Sequence, residues 1–368
     1  MMRIDRVEIY RAEMPMKVPF RIAIGTTEVS QSLFVRIATD AGHVGVGEAN
    51  LFTPVVGETL DTAWQAAALL GRLLIGADPL DIEGRVAAMQ RALPFNTTTR
   101  SAFDMALWDI LGKAANLPLF AVLGGQRRAV LTDNTVGIDT PDRMAERAAA
   151  HKARGFRVVK VKLGEAVATD VERLRRIRAA VGPGYALRID ANQGWSRIDA
   201  RHALAALAAF DPEFCEQPLA RWDIDGLAAL QKVSPIPIMA DESVFDAHDA
   251  LRLVQNAACD HMNIKLAKSG GIHTALKIDA IAEAGGLSCM IGCMTESGIG
   301  LSAAVHLASA RRNIAFADLD GADMLAVDPV AGGFTYTAGG ELLPSTRPGL
   351  GVEIAPAFLA QLPGTIIA

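Results

Sequence analysis

The sequence predicts a parallel β/α barrel preceded by a smaller α+β domain, and two observations lead to this fold class. From about residue 130, eight short apolar runs with β character alternate with helical segments rich in Ala and Arg. Five of these runs end in a charged residue, at intervals of 28, 26, 25 and 24 residues, about the length of one strand plus one helix: Lys162, Asp190, Glu216, Asp241 and Lys265. Because a parallel barrel puts the ends of all its strands on one face, these five side chains are expected to meet there.

The first 125 residues have a different pattern. Two stretches, at 3–14 and 32–49, alternate apolar and polar residues as the strands of an antiparallel sheet do. Helical segments follow, and the last of them, at 98–117, has an apolar face that starts at Phe103. We therefore predict an α+β domain over residues 1–125 and the barrel over 126–323. A Gly- and Pro-rich segment over 324–368 is expected to pack back on the first domain.

Composition excludes several classes of function. The 368 residues are 51% hydrophobic and 21% charged, an ordinary globular composition. The net charge of −5 argues against nucleic acid or an anionic membrane as the main partner. No signal peptide and no long apolar span are evident. The four cysteines lie in or beside apolar runs, so we expect free buried thiols and a reducing, cytoplasmic environment.

The three carboxylates predict a metal site. Asp190, Glu216 and Asp241 end three consecutive predicted strands, and three buried anions side by side repel unless a cation neutralises them. Oxygen ligands without Cys or His suit Mg²⁺, or Mn²⁺. Helix caps or separate salt bridges are the alternative. Asn192 shares the strand face of Asp190 and is expected to support the ligands, whereas Glu242 is expected to point away.

The lysines predict proton transfer. Lys162 and Lys265 end strands that are four apart in a ring of eight, so they would flank a substrate held on the metal. Such a pair can remove a proton from one side of a carbon and return one to the other, and burial near a cation lowers a lysine pKa toward neutrality. Lys160 suits a partner of the carboxylates or of a substrate carboxylate, and Lys268 is expected outside the site. Structural salt bridges are the alternative.

A further acidic pair ends the eighth predicted strand. Asp318 and Asp320 face the same way, across the mouth from the metal ligands, and the local sequence supplies no basic partner. A substrate with a carboxylate at one end and an ammonium at the other, such as a dipeptide, would fill both sites. A helix N-cap or a turn before Gly321 is the alternative.

These residues carry a resemblance to a known family. The segments VKVKLG at 159–164, RIDANQGW at 188–195, CEQPL at 215–219, ADES at 240–243 and NIKLAKSGG at 263–271 resemble the muconate lactonizing enzyme subgroup of the enolase superfamily. The resemblance implies an N-terminal α+β capping domain over a modified (β/α)₇β barrel. It also implies Mg²⁺ on the carboxylate triad, acid/base roles for Lys162 and Lys265 and, by analogy, a homo-oligomer.

Within the subgroup, CMTES at 293–297 and DLDGADML at 318–325 resemble dipeptide epimerases. This implies an isomerase that inverts the α-carbon of the C-terminal residue through an enediolate. It also implies that Asp318 and Asp320 bind the substrate ammonium and that loops at 19–30 and 51–59 close over the site. L-Ala-D/L-Glu epimerases tend to carry an arginine in the first loop, where this chain has Gly25. Either the second residue of the substrate is uncharged or Arg21 substitutes. Thr295, where a leucine is common, is a further substrate-binding candidate.

Two other interpretations stay open. An N-acylamino acid racemase, an o-succinylbenzoate synthase or a muconate-type cycloisomerase would use the same lysines and metal without an ammonium site. A non-catalytic binding barrel would keep the pocket and lose the chemistry, although all five charged residues are present.

Overall fold

The computed structural model describes residues 2–337 and 339–368. Its N-terminal part contains β1 (Ile4–Ile22), β2 (Gly25–Thr39), β3 (Val44–Asn50), α1 (Thr53–Val56), α2 (Leu60–Leu74), α3 (Ile82–Ala92), α4 (Thr97–Ala114) and α5 (Leu119–Val122). The three strands pair in an antiparallel sheet, as their alternating pattern predicts. Gly45 and Gly47 allow β3 to lie directly on α4, because a Cβ at either position would collide with a carbonyl oxygen of that helix. The capping domain is therefore a sheet covered closely by helices.

The barrel contains all eight predicted strands. A short strand, β4 (Val130–Leu131), lies beside the barrel, whose own elements are β5 (Asn134–Val136), α6 (Pro141–Ala153), β6 (Val158–Lys162), α7 (Val167–Val181), β7 (Ala186–Asp190), α8 (Arg197–Leu207) with a 3-10 turn at Ala208–Phe210, β8 (Cys215–Glu216), α9 (Ile224–Gln231), β9 (Ile238–Ala240), α10 (Ala247–Gln255), β10 (His261–Lys265), α11 (Leu266–Ser269), α12 (Ile272–Ala284), β11 (Ser288–Gly292), α13 (Gly298–Ala310), β12 (Ile314–Asp318) and α14 (Gly321–Met324). The parallel sheet runs in order from β5 to β12, and a bridge between Thr132 and Ala317 joins its edges. Seven strands are followed by a long helix and β12 by a single turn, which confirms the (β/α)₇β barrel.

The C-terminal segment contacts both parts of the molecule. It contains β13 (Val330–Gly332), β14 (Thr335–Tyr336), β15 (Glu341–Leu343), β16 (Val352–Ile354), α15 (Pro356–Leu359) and β17 (Gly364–Ile367). β17 pairs with β1 and completes a four-stranded capping sheet, whereas β15 pairs with β4 beside the barrel.

The first predicted lid loop is the tip of a β-hairpin. The pairs Phe20–Thr27, Arg21–Thr26 and Ile22–Gly25 extend the ladder of β1 and β2 beyond an irregularity that follows Pro15. The tip reaches the barrel, where the backbone N–H of Ile138 donates to the Arg21 carbonyl at 2.8 Å. The prediction of a loop is wrong here because the two edges of the segment can pair with each other. The second segment, 51–59, is also partly helical, since it contains α1.

An apolar and aromatic layer fills the barrel below its mouth. Phe214, Met239 and Phe316 each lie two residues before a site position, so they point inward one layer deeper, and they pack together with Met290. The Arg188 guanidinium lies over the Phe214 and Phe316 rings, 5.4 and 5.2 Å from their centroids. This layer is a rigid base for the charged residues above it. Across the described residues, no helix combines the length and apolar character that crossing a bilayer requires.

Candidate active site

Asp190, Glu216 and Asp241 lie at the C-terminal ends of neighbouring strands. Asp190 pairs in register with Glu216 across β7 and β8, and Asp241 directly follows β9. None of the three is more than 1% exposed. Each carboxylate contacts an ammonium group: Asp190 contacts Lys162 at 2.6 Å, Glu216 contacts Lys160 at 2.7 Å and Asp241 contacts Lys265 at 2.9 Å. The structure thus brings the predicted triad and the lysines together.

The oxygen atoms around this triad fit a hard cation. Among the described residues, four buried oxygens here accept no hydrogen bond: Asn192 Oδ1, Glu216 Oε2, Glu242 Oε2 and Asn263 Oδ1. Glu216 Oε2 has only the ion-pair contact with Lys160, whose geometry is not that of a hydrogen bond. Burial and the Asp190 charge raise the pKa of Glu216 to about 7, and burial and Asp241 raise the pKa of Glu242 to about 8. Mg²⁺ would give these oxygens a partner and would stabilise the ionised form of the two glutamates.

Lys162 and Lys265 end β6 and β10, which are four strands apart in the barrel. Each is 6% exposed, and both line the same cavity. The expected fall in lysine pKa depends on a bound cation, and without one the pKa of Lys265 shifts the other way. Burial lowers its pKa, but the Asp241 and Glu216 charges outweigh burial, and the pKa is raised. A cation on these carboxylates would offset the attraction that holds the proton on Lys265.

Lys160 lies at the centre of the acidic residues. Its Nζ is 2.6 Å from Asp318, 2.7 Å from Glu216 and 3.2 Å from Asp190. Burial acts to lower the pKa of Lys160, but the Asp318 and Glu216 charges raise it well above its usual value. Lys160 is fully buried and is not among the cavity-lining residues. The geometry favours its role as a partner of the carboxylates over direct contact with a substrate.

Lys268 and Glu242, which sequence reasoning left out, lie against the predicted ligands. The Lys268 Nζ is 2.6 Å from Asp241 Oδ1 and 3.0 Å from the Asn263 carbonyl oxygen. The chain enters α11 directly after Lys265, so one helical turn carries Lys268 back beside the strand end. Glu242 lines the cavity and accepts a hydrogen bond from Asn192 Nδ2 at 3.3 Å. Strand alternation does not apply to it because β9 ends at Ala240.

Asp318 and Asp320 lie with a third acid, Asp133, which sequence reasoning missed. Carboxylate oxygens of the three lie within 4.8 Å of one another. Lys160 contacts Asp318, Arg188 contacts Asp133 at 2.8 Å, and burial together with Asp318 raises the pKa of Asp320 to about 7. The cap alternative is not what the structure shows, because Asp320 precedes α14 without a capping hydrogen bond from its side chain. The sequence did contain a signal for Asp133, because this residue lies in a run of polar residues at the start of the first barrel strand.

Asp320 is held by the first barrel strand. It accepts a hydrogen bond from the backbone N–H of Thr135 at 2.6 Å, and the Thr135 hydroxyl lies 3.4 Å from Asp318. These contacts fix the two carboxylates on the same side of the mouth, four strands away from Glu216 around the ring. The sequence placed the pair correctly across the mouth but not its basic partner, because Lys160 is 158 residues distant in the chain.

The cavity above the lysines is covered by apolar side chains of the capping domain. The hairpin tip contributes Phe20 and Ile22, and the segment that contains α1 contributes Phe52 and Val55. Arg21 is not among the lining residues; it is half exposed and contacts Glu165 at 2.5 Å. Alternate residues of a strand point to opposite faces, so Arg21 points away because its two neighbours point in. Arg21 is therefore not positioned as a substrate contact.

Thr295 does line the cavity, but its hydroxyl is already engaged. It lies 3.2 Å from both Ser30 Oγ and Asn50 Oδ1. Asn50 Oδ1 also accepts the Thr295 backbone N–H at 3.1 Å, and Ser30 Oγ donates to the Thr295 carbonyl at 2.8 Å. The capping domain thus holds the loop after β11, and with it this part of the cavity wall, in place.

Comparisons with known proteins agree with this geometry. The chain matches the family models "Mandelate racemase / muconate lactonizing enzyme, N-terminal domain" over residues 5–124 and "Enolase C-terminal domain-like" over residues 143–358. It is 43% identical over 353 residues to a hydrophobic dipeptide epimerase of Enterococcus faecalis, a match that covers 96% of this chain and all of the relative.

Two solved structures are also similar. A dipeptide epimerase from Cytophaga hutchinsonii, complexed with Mg and D-Ala-L-Val, matches with a TM-score of 0.98 and 39% identity and covers all of both chains. A dipeptide epimerase from Enterococcus faecalis, complexed with Mg and L-Leu-L-Tyr, matches with a TM-score of 0.93 and 42% identity over 95% of this chain and 99% of that one. The fold, the arrangement of the strand ends and these matches lead to one conclusion: the chain belongs to the mandelate racemase / muconate lactonizing enzyme family of the enolase superfamily.

Proposed function

We propose that the protein is a Mg²⁺-dependent dipeptide epimerase, an isomerase that inverts the α-carbon of the C-terminal residue. The observation that carries the proposal is the placement of Lys162 and Lys265 on opposite strands of one cavity, next to the triad and across from Asp318 and Asp320. Two lysines on opposite sides of a carbon suit removal and return of a proton, which a hydrolase or a one-base isomerase would not need.

Asp190, Glu216 and Asp241 would hold the metal, which supplies positive charge to a substrate carboxylate and stabilises an enediolate. One lysine, as the neutral amine, accepts the α-proton, and the other, as the ammonium, donates a proton to the opposite face. The two transfers leave the substrate with the same atoms and electrons and an inverted centre. Lys160 and Lys268 keep the ligand carboxylates in place by their contacts with Glu216 and Asp241.

The acidic cluster across the mouth supports a substrate ammonium. Asp133, Asp318 and Asp320 carry three potential negative charges, and the basic groups in contact with them are Lys160 and Arg188. Lys160 is shared with Glu216 and Asp190, so the cluster stays short of positive charge. A primary ammonium supplies one positive charge and three hydrogen-bond donors. A divalent metal beside Lys160 and Arg188 would bring more positive charge than the three carboxylates need.

The apolar cavity wall favours a second residue without charge. Phe20, Ile22, Phe52 and Val55 cover the position above the lysines, and Arg21 points elsewhere. A glutamate side chain placed against these groups would be desolvated without a partner. Three of the similar proteins, a hydrophobic dipeptide epimerase and complexes with D-Ala-L-Val and L-Leu-L-Tyr, support the same preference, whereas two others, 38% and 39% identical, are named L-Ala-D/L-Glu epimerases.

One observation favours a second candidate, an N-acylamino acid racemase. Asp318 already has an ammonium partner in Lys160 at 2.6 Å, so it does not require one from the substrate. Asp318→Asn and Asp320→Asn variants separate the two functions. If the wild type turns over dipeptides and the variants do not, the result supports the epimerase. If the wild type turns over N-acyl amino acids but no dipeptide, and the variants keep that activity unchanged, the result supports the racemase.

The decisive experiment is a mass-spectrometric screen in D₂O. Pools of L-Ala-L-X dipeptides are incubated with the protein and Mg²⁺, alongside N-acetyl amino acids. We expect a gain of one dalton on dipeptides with apolar X. Neither Lys162→Ala nor Lys265→Ala should invert the α-carbon, and the variant that lacks the lysine facing the L α-proton should show no gain of mass. Exchange on Ala-Glu alone would contradict the apolar preference. Absence of exchange on every dipeptide, with Mg²⁺ bound, would rule out the epimerase and leave a racemase or a non-catalytic barrel.

The proposal includes a homo-oligomer in a reducing cytoplasm. The oligomer rests on analogy with the family, and light scattering after size exclusion tests it. The reducing compartment is supported by four cysteines that are all free and buried: Cys215, Cys259, Cys289 and Cys293.

A further inference from the structure

A second cavity lies outside the candidate active site, between the capping domain and the loops after β8 and β9. Its volume is about 750 Å³. The stretch from Gln90 to Arg100 forms one side, and residues 221–252 form much of the other. It shares one lining residue, Glu242, with the reaction cavity. We call it the outer cavity.

Arg100 lines the outer cavity without a partner. The residue is only 8% exposed, yet within residues 2–337 and 339–368 its guanidinium has no hydrogen bond and no ion pair, and its Nε is fully buried. A buried arginine stays charged, and leaving its donors unused costs free energy. Ser269, in the same lining, has a buried hydroxyl that also lacks a hydrogen-bond partner. Both groups can donate to an oxygen atom of a ligand.

The acidic residues of this cavity do not compensate Arg100 by contact. Asp246 accepts the backbone N–H groups of His248 and Asp249, and Asp249 contacts Arg252 at 2.7 Å. Glu242 stands on the inner wall, toward the reaction cavity. Glu58, Asp104 and Asp246 lie close enough to attract the Arg100 guanidinium without contacting it. What Arg100 offers a ligand is therefore a set of unused hydrogen-bond donors.

The rim of the cavity is aromatic. Phe95 is 88% exposed and Trp222 is 77% exposed, which is unusual for side chains of this size. The Arg221 guanidinium carbon lies over the Phe245 ring, 5.7 Å from the ring centroid, and Arg221 has no ion pair among the described residues. The cavity is thus lined by three aromatic rings, and one of them carries a basic group at the edge.

We propose that the outer cavity is a second binding site, for a small organic carboxylate with an apolar or aromatic body. The carboxylate binds Arg100 and the Ser269 hydroxyl, and a planar guanidinium suits a planar carboxylate. The apolar body packs against Phe95, Phe245 and Trp222. The site is separate from the proposed epimerase chemistry and does not depend on it.

The test uses 4-fluorobenzoate, which has no α-hydrogen and cannot be epimerised. Its ¹⁹F NMR signal is followed while the Mg²⁺-loaded full-length protein is added. We expect saturable binding that is weakened about tenfold or more by Arg100→Gln. Lys265→Ala, which alters the reaction cavity, and Arg252→Gln, whose guanidinium is already paired, should bind as the wild type does. Acetate should displace the probe only at much higher concentration.

Several results would overturn the proposal. These are wild-type affinity in Arg100→Gln, loss of binding in Lys265→Ala, equal displacement by acetate, or no saturable binding to the wild type. If Arg100→Gln does not fold, Trp222→Ala serves instead, because Trp222 is exposed and its removal should not disturb the core. We expect that variant to weaken binding several-fold, and wild-type affinity there would equally overturn the proposal.

Discussion

Replacing Lys160 with methionine is the sharpest test of how the acidic centre is held. Methionine keeps the length of the side chain and removes the cation that lies 2.6, 2.7 and 3.2 Å from Asp318, Glu216 and Asp190. All four residues are buried. Loss of one partner from a buried ion-pair network costs about 3–5 kcal/mol, because the remaining charges are left uncompensated. We expect the free energy of unfolding in EDTA to fall by about this amount.

Mg²⁺ should restore part of this loss. The metal would take over the neutralisation of Asp190 and Glu216, and Lys160→Met should bind it more tightly than the wild type because a competing ammonium is gone. At 100 times its dissociation constant a ligand adds about 2.7 kcal/mol to stability. Asp318 stays unpaired, so recovery should be incomplete.

Chemical denaturation followed by circular dichroism, in EDTA and in saturating Mg²⁺, measures both effects. Lys277→Met is the matched control: that lysine is half exposed and 3.5 Å from Glu83, and its loss should change stability by less than about 1 kcal/mol. The reasoning is refuted if Lys160→Met unfolds in EDTA at the wild-type denaturant concentration, or if Mg²⁺ stabilises both proteins equally.

Three other predictions concern pH, packing and specificity. Burial lowers the pKa of His306 to about 4. The neutral ring therefore stabilises the fold fully above pH 6.5, and up to about 3 kcal/mol of stability is lost as the pH falls toward 4. His306→Gln should flatten that part of the pH–stability profile. Gly271→Ala should lower stability by about 1–3 kcal/mol in calorimetry, because φ is +105° and the new Cβ would collide with the Asp104 carboxylate. Asn50→Ala should raise KM for dipeptides more than it lowers kcat, since it frees the loop of Thr295.

Each of these has a control or an opposing result. Gly286→Ala shares a positive φ of +75° but has open space around the new Cβ, so it should cost less than the substitution at Gly271. An unchanged pH–stability slope in the His306 variant would assign the acid sensitivity to other groups. Equal changes in KM and kcat for Asn50→Ala would mean that the loop positions the reacting groups and not the second residue of the substrate.

The barrel half of the site was predictable because its geometry is periodic. A charged residue at the end of each βα unit lies on a known face, so the spacing along the chain is enough to place Lys162, Asp190 and Glu216 together. Lys268 and Glu242 could not be placed in this way, because each lies just past the end of a strand, where the period of two stops applying. The extra turn of α11 and the short β9 are decided by tertiary packing and not by the local sequence.

The same limit explains Asp133 and the pairing of Lys160 with Asp318. Asp133 stands at the start of the first barrel strand, and only closure of the ring brings it beside Asp318. Lys160 was expected to contact the carboxylates or a substrate carboxylate, but which carboxylates it touches depends on where three strands meet. Ring closure is a long-range event, and spacing along the chain does not determine which two charges touch across it.

The capping domain shows why substrate preference is harder to infer than chemistry. Between the pairs Pro15–Val29 and Phe20–Thr27, β1 advances five residues while β2 advances two. That irregularity sets which side of the hairpin tip faces the cavity, and a shift by one residue would exchange the faces of the strand. Phe20 and Ile22 would then leave the wall and Arg21 would enter it, changing an apolar cover into a cationic one. Specificity in this fold can therefore depend on strand register as much as on residue identity, whereas the lysines and carboxylates of the barrel do not move.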